Sequence, residues 1–134
     1  MDKPVFLYVE DDAFSREIMA LILGDMLGYT SVTVFEDSAD FLPRVEKLAA
    51  KPDVIFLDIH VRPHNGFEML TMIRQRADYA QTKVVALTAS VMNEEVHRLR
   101  EAGFDGCLAK PLDQRTFPDL LGRILLGERI WRIK

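Results

Sequence analysis

A chain of 134 residues, 49% hydrophobic and 28% charged, suits one domain with a full core and excludes a disordered segment or a fibre. Its net charge of −4 argues against a general nucleic-acid or membrane-surface binder, which carries a basic excess. One cysteine, Cys107, leaves no internal disulfide. There is also no signal-peptide pattern after Met1, and no apolar run near the ~18 residues of a membrane span, so the expected location is the cytoplasm.

Short apolar runs alternate with helical patterns along the chain. Val5 to Val9 reads as a first buried strand and ends in Glu10-Asp11-Asp12. Residues 14 to 26 read as a helix, with Ile18, Leu21, Ile22 and Met26 spaced to share a face, and Gly28 stops it. Asp12 is expected to cap this helix. Ser31 to Phe35 is a second strand. A second helix follows to about Ala50, capped by Asp37, Ser38 or Asp40; Pro43 is harmless only if Asp40 is the cap, because it then falls in the first turn.

Val54 to Leu57 is a third strand, apolar throughout as expected for one buried on both faces, and it runs into Asp58. Pro63 and Asn65-Gly66 break the chain before a helix from about Phe67 to Arg76, with Leu70 and Ile73 inward. Lys83 to Leu87 is strand four, followed by Thr88-Ala89-Ser90. Helix four covers roughly Asn93 to Ala102 and Gly103 ends it. Gly106 to Ala109 is strand five, followed by Lys110-Pro111. Thr116 with Asp119 reads as a capping box for a last helix bearing Leu120, Leu121, Ile124 and Leu125. The alternation predicts an α/β fold: a single doubly wound (βα)5 domain of flavodoxin type, with a parallel sheet of order 2-1-3-4-5 covered on both faces.

In that topology ligands sit outside the carboxyl ends of the strands, where strand order reverses. Glu10 and Asp11 after strand one and Asp58 after strand three meet there, with Thr88 and Lys110 beside them. Three carboxylates in one crevice repel: at an effective dielectric near 20, a pair ~4 Å apart costs about 4 kcal/mol. A cation, or a proton on one of them, must offset this. Carboxylate oxygens open to water, with no His or Cys cluster, favour Mg²⁺ or Mn²⁺ over zinc. A cation, a lysine, a hydroxyl and an exposed carboxylate together can accept a phosphoryl group, with Asp58 as nucleophile. His60 and His64 lie in the following loop without a third ligand of their kind, and a His-metal site is not expected.

The stretches Val9-Glu10-Asp11-Asp12, Leu57-Asp58-Ile59 with Gly66 eight residues after the acid, Leu87-Thr88-Ala89 and Lys110-Pro111 resemble, in this order, the receiver domain of bacterial two-component response regulators. The separations of 30 residues from Asp58 to Thr88 and 22 from Thr88 to Lys110 agree with it. The resemblance implies a receiver unit over 1–127 and a short tail, 128–134. It implies that Asp58 is phosphorylated by a histidine kinase or phosphotransfer protein. Glu10 (through water), Asp11, Asp58 and the backbone carbonyl of His60 would hold Mg²⁺, with Mn²⁺ as an alternative ion. Thr88 and Lys110 would contact the phosphoryl oxygens, and His60 and Ser90 would flank the path of hydrolytic water. Signalling would reach a downstream protein, or a second copy, through the face of helix four, strand five and helix five.

Two departures from the family pattern stand out. The proline usual four residues after the acceptor is Arg62, with Pro63 next. The aromatic residue usual three positions before the lysine is Cys107. They motivate an alternative, a receiver-fold interaction module indifferent to phosphate. A phosphatase of the haloacid dehalogenase type is a second alternative. It shares the strand-end Asp, Thr, Lys and Mg²⁺ but needs an acid two residues after the nucleophile, where this chain has His60. The tail residue Trp131 packs on the fold or meets a partner; the sequence does not distinguish these.

Overall fold

The computed structural model describes residues 3–89 and 92–131. Five strands form, β1 (Phe6–Val9), β2 (Val32–Phe35), β3 (Val54–Asp58), β4 (Lys83–Thr88) and β5 (Gly106–Ala109), each paired in parallel in the order β2-β1-β3-β4-β5. Alternate strand residues feed two apolar layers. One face carries Leu7, Val9, Ile55, Leu57, Val84, Ala86 and Cys107. It is covered by α2 (Phe41–Glu46), α3 (Gly66–Arg74) and α4 (Asn93–Ala102). The other carries Phe6, Tyr8, Val54, Phe56, Val85, Leu87 and Leu108, under α1 (Ala13–Ala20) and α5 (Phe117–Leu125). Burial on both faces is why β1, β3 and β5 lack the polar alternation of a half-exposed strand.

Several helix ends differ from the sequence expectation. The first helix is capped by Asp12, whose side chain accepts from the Ser15 amide, but it continues as a π-helical segment over Leu21–Met26. The wider turn, seen in the Leu27 N–H to Ile22 carbonyl bond, shifts the inward face. Met19, Ile22 and Leu23 are buried, whereas Met26, expected inside, is 47% exposed. Gly28 ends the segment at φ 75°, as anticipated.

Helix α2 stops at Glu46, well short of Ala50. The last turn closes with the Lys47 amide on the Pro43 carbonyl at 3.2 Å and the Leu48 amide on the Val45 carbonyl at 3.1 Å, a tightened i to i−3 end. Asp40 is the capping position, so Pro43 does lie in the first turn; Asp40 is left-handed at φ 50° and its side chain makes no cap bond. Helix α3 is closed by a capping box that the sequence reading missed, between Asn65 and Glu68. The box expected between Thr116 and Asp119 does not form. Thr116 already has helical backbone, continuing the turn started at Asp113, so its hydroxyl is not placed to cap.

Trp131 packs on the fold. The tail runs beside β5, where the Cys107 amide donates to the Ile130 carbonyl at 2.8 Å and Trp131 bridges to Cys107. Ile130 is buried, and the Arg100 guanidinium of α4 lies 4.7 Å from the centre of the indole ring. Gly106 is required here: a Cβ at that position would stand 2.8 Å from the Ile130 carbonyl oxygen. Among the described residues, no helix is long and apolar enough to cross a membrane.

Candidate functional site

Parallel pairing sets the ends of β1, β3, β4 and β5 side by side. Asp58 is the last residue of β3 and pairs in register with Leu87; Thr88, the last of β4, pairs with Ala109, and Lys110 follows at once. Glu10 and Asp11 emerge from β1, which lies next to β3. Carboxylate oxygens of Glu10, Asp11 and Asp58 come within 4.8 Å of one another. Glu10 and Asp58 are buried and Asp11 is exposed, so the trio opens to solvent on one side. No His or Cys joins it among the described residues. An all-oxygen, partly hydrated donor set of this kind fits a hard divalent cation such as Mg²⁺.

Lys110 ties the group together. Its Nζ donates to Glu10 Oε1 at 3.0 Å and Oε2 at 3.1 Å, and lies 3.4 Å from Asp58 Oδ1. Burial favours the neutral amine. The hydrogen bond to Glu10 and the charges of Asp58 and Glu10 outweigh it, so the Lys110 pKa is raised and the ammonium is held. Burial raises the Glu10 pKa, and the hydrogen bond it shares with Asp58 adds to that; Tyr8 and Lys110 pull the other way. Three carboxyl groups thus face one ammonium, and in the absence of a cation the crowding is relieved by favouring a proton on Glu10, a place that a divalent ion can take instead.

Local packing fixes Asp58. The His60 amide lies 3.4 Å from Asp58 Oδ1, and the Ile59 amide reaches the Leu87 carbonyl at 3.3 Å. Gly66 backs onto this turn: a Cβ there would meet Ile59 Cδ1 at 2.6 Å and Ile59 Cα at 3.0 Å. The Arg62-Pro63 loop, whose shape the sequence left open, is pinned from α2's approach. Ser38 is buried, donates to the His64 carbonyl at 2.7 Å and accepts from the His64 amide at 2.6 Å, while its own amide reaches the Arg62 carbonyl at 3.1 Å. The peptide bonds Arg62-Pro63 and Lys110-Pro111 are cis.

Glu10, Asp11, Asp58, Thr88 and Lys110 are thus brought to one sheet edge. Thr88 is fully buried and its carbonyl accepts from the Lys110 amide at 2.9 Å. The His60 side chain is exposed and stands outside the acidic trio. Ser90 lies outside the described residues. Sequence reasoning missed Tyr8. Its hydroxyl donates to Glu10 Oε1 at 2.7 Å, and burial, then this bond, raises its pKa. The available signal was the polar tip of Tyr8 two residues before Glu10, a spacing that turns both side chains to one side of an extended chain.

The family model for the response regulator receiver domain matches residues 6–121. The chain belongs to this family.

As a receiver domain it is a module of two-component signal transduction, which removes the phosphatase reading. Its relatives include the signal transduction histidine-protein kinase BarA of Escherichia coli K12, 28% identical over 123 residues; the match covers 91% of this chain and 13% of the kinase. The chain therefore spans only a small part of that relative. Among solved structures it is similar to chemotaxis response regulator CheY4 of Vibrio cholerae, with TM-score 0.81, 28% identity, and coverage of 92% of this chain and 99% of that one. The receiver domain of sensor histidine kinase PA1611 from Pseudomonas aeruginosa shares the fold, with TM-score 0.78, 24% identity, and coverage of 92% and 98%. That structure has a magnesium ion coordinated in its active site cleft.

Proposed function

We propose that this receiver domain accepts a phosphoryl group on Asp58 from a phosphohistidine of a histidine kinase or phosphotransfer protein. The observation that carries the reading is the convergence of Glu10, Asp11 and Asp58 with Lys110 at one strand edge. An Asp58 carboxylate oxygen attacks phosphorus, the P–N bond to the imidazole breaks, and the imidazole leaves with the electron pair. Lys110 stays charged throughout and lies 3.4 Å from the attacking carboxylate, where it balances the charge of the arriving oxygens. The Thr88 hydroxyl donates to one of them. Glu10, Asp11, Asp58 and the His60 backbone carbonyl would hold Mg²⁺ or Mn²⁺, and the ion would neutralise phosphoryl charge as it transfers.

The added charge then biases the loops after β3 and β4, and the α4-β5-α5 face passes the change to a downstream protein or a second copy. His60 and Ser90 flank the approach of hydrolytic water and set the lifetime of the phosphorylated state. A receiver unit over 1–127 with a tail from 128, acting in the cytoplasm and without direct nucleic-acid contact, belongs to the same proposal.

Intact mass after incubation with acetyl phosphate tests it, with and without Mg²⁺, for wild type and Asp58→Asn. One phosphoryl group gained only with both Mg²⁺ and Asp58 is the expected result. No gain by folded wild type would sink the acceptor role and favour the phosphate-indifferent module. The buried Cys107, standing where the family has its aromatic residue, is the observation on the side of that module.

A further inference from the structure

We propose that Tyr8 is a positioning residue of this site: its hydroxyl fixes the Glu10 carboxylate, and through Glu10 it sets where Lys110 rests and how well the acidic trio grips a cation. The inference rests on the cation-binding reading above and adds a residue to it.

Tyr8 lies in β1 and Glu10 is the first residue past its end, still bonded through its amide to the Phe35 carbonyl at 3.0 Å, so the two side chains, two positions apart on extended backbone, turn to the same face. Tyr8 is 1% exposed and Glu10 0%. The ring lies among the apolar residues between the sheet and helices α1 and α5, where phenylalanine would fill almost the same space. The hydroxyl is the part packing does not call for, and it is spent on Glu10 Oε1 at 2.7 Å.

The carboxylate is held at both oxygens. Oε1 accepts from Tyr8 and Lys110; Oε2 accepts from Lys110 at 3.1 Å and from the Asp12 amide at 3.3 Å. Among the described residues, Tyr8 is the one donor to this carboxylate that approaches from inside the core. Without it, the short bond at Oε1 is lost and the carboxylate is left to Lys110, on a flexible stem, the longer bond from the Asp12 amide and its contact with Asp58. A partner that orients a metal-binding carboxylate typically changes metal affinity 10- to 100-fold. Because Glu10 is expected to reach the ion through water, the effect belongs at the lower end.

The full chain carrying Tyr8→Phe tests this in an NMR titration with Mg²⁺. The expected result is a dissociation constant weakened about tenfold. In a Glu10→Gln background the same substitution adds nothing further, since the two act as one unit. A hydroxyl that merely satisfies the core would lower thermal stability and leave the Mg²⁺ affinity in place.

A second readout needs no metal: the Glu10 Cδ resonance. It shifts in Tyr8→Phe, and it shifts in the opposite sense when 3-fluorotyrosine, a stronger donor of the same shape, replaces tyrosine. That arm also serves if Tyr8→Phe does not fold. An unchanged Glu10 resonance, or equal Mg²⁺ affinity in wild type and a folded Tyr8→Phe, overturns the proposal. If wild type binds no Mg²⁺, the cation-binding reading fails instead, and the metal-free resonance alone decides whether Tyr8 positions Glu10.

Discussion

Replacing Lys110 with methionine keeps most of the side-chain length and removes its charge. The Lys110 side chain is 16% exposed, and its ammonium lies 3.0 Å from Glu10 and 3.4 Å from Asp58. At an effective dielectric near 20, a unit-charge pair at ~3 Å is worth about 5 kcal/mol. Withdrawing the ammonium from water offsets several kcal/mol of that, and breaking a buried pair costs about 3–5 kcal/mol in practice. Partial solvent access places Lys110→Met at the low end, about 3 kcal/mol at pH 8, or a fall in Tm of roughly 10 °C.

The loss must depend on pH. Burial already raises the Glu10 pKa, and removing Lys110 raises it further. A carboxyl whose pKa is higher in the folded state contributes stability that is fully present below its unfolded pKa and is lost as pH rises through the folded one. The variant's deficit is therefore small near pH 5 and grows toward pH 8. Millimolar Mg²⁺ should restore part of it by replacing the missing positive charge. Urea denaturation of both proteins at pH 5 and pH 8, with and without Mg²⁺, measures all three quantities. A deficit of the same size at both pH values, or none at pH 8, would refute the electrostatic account of this cluster.

Gly66→Ala should cost about 1–3 kcal/mol, because the new methyl meets the Ile59 backbone as well as its mobile side-chain end. Phosphorylation by acetyl phosphate should slow with it as the Asp58-Ile59 turn gives way; wild-type Tm and rate together would contradict this packing. Gly106→Ala should push the tail off β5, and since Trp131 is the chain's single tryptophan, acrylamide quenching of its fluorescence should rise. Unchanged quenching would mean the tail tolerates the methyl. Burial pushes the Cys107 thiol up to about 11, so it stays protonated at pH 8. Iodoacetamide should leave it unmodified in native protein while labelling it in urea; rapid native labelling would show that β5 opens.

The sheet and its order were legible because each strand is a short apolar run flanked by turn residues, and because doubly wound topology leaves few arrangements of such runs. The site was legible for the same reason: Glu10, Asp11, Asp58, Thr88 and Lys110 all follow directly on strand ends, where topology alone brings them together. Helix detail was not. The π-helical turn at Leu21–Met26 turned Met26 outward although its spacing fits an α-helical stripe. Asn65 with Glu68 and Thr116 with Asp119 look alike as sequence, yet only Asn65 enters its helix from extended backbone, which is what lets its side chain cap. Tyr8 was hidden by its ring, which reads as core until the position of its hydroxyl is known.

Cys107 shows why β5 links the two ends of the molecule. The thiol side of this residue packs into the layer under α4, its amide holds the tail at Ile130, and three residues later the same strand delivers Lys110 to the acidic cluster. Trp131 bridges to this residue and is held by Arg100 of α4, while Phe104 and Phe67 pack in the same layer. A shift of Lys110 toward a phosphorylated Asp58 would pull on a strand whose outer edge is bonded to the tail. The tail and α4 are thus joined to the site through β5 by non-covalent contacts, the Cys107–Ile130 hydrogen bond and the Arg100–Trp131 stacking, and a change in Trp131 fluorescence on treatment with acetyl phosphate and Mg²⁺ is the measurement that would show such coupling.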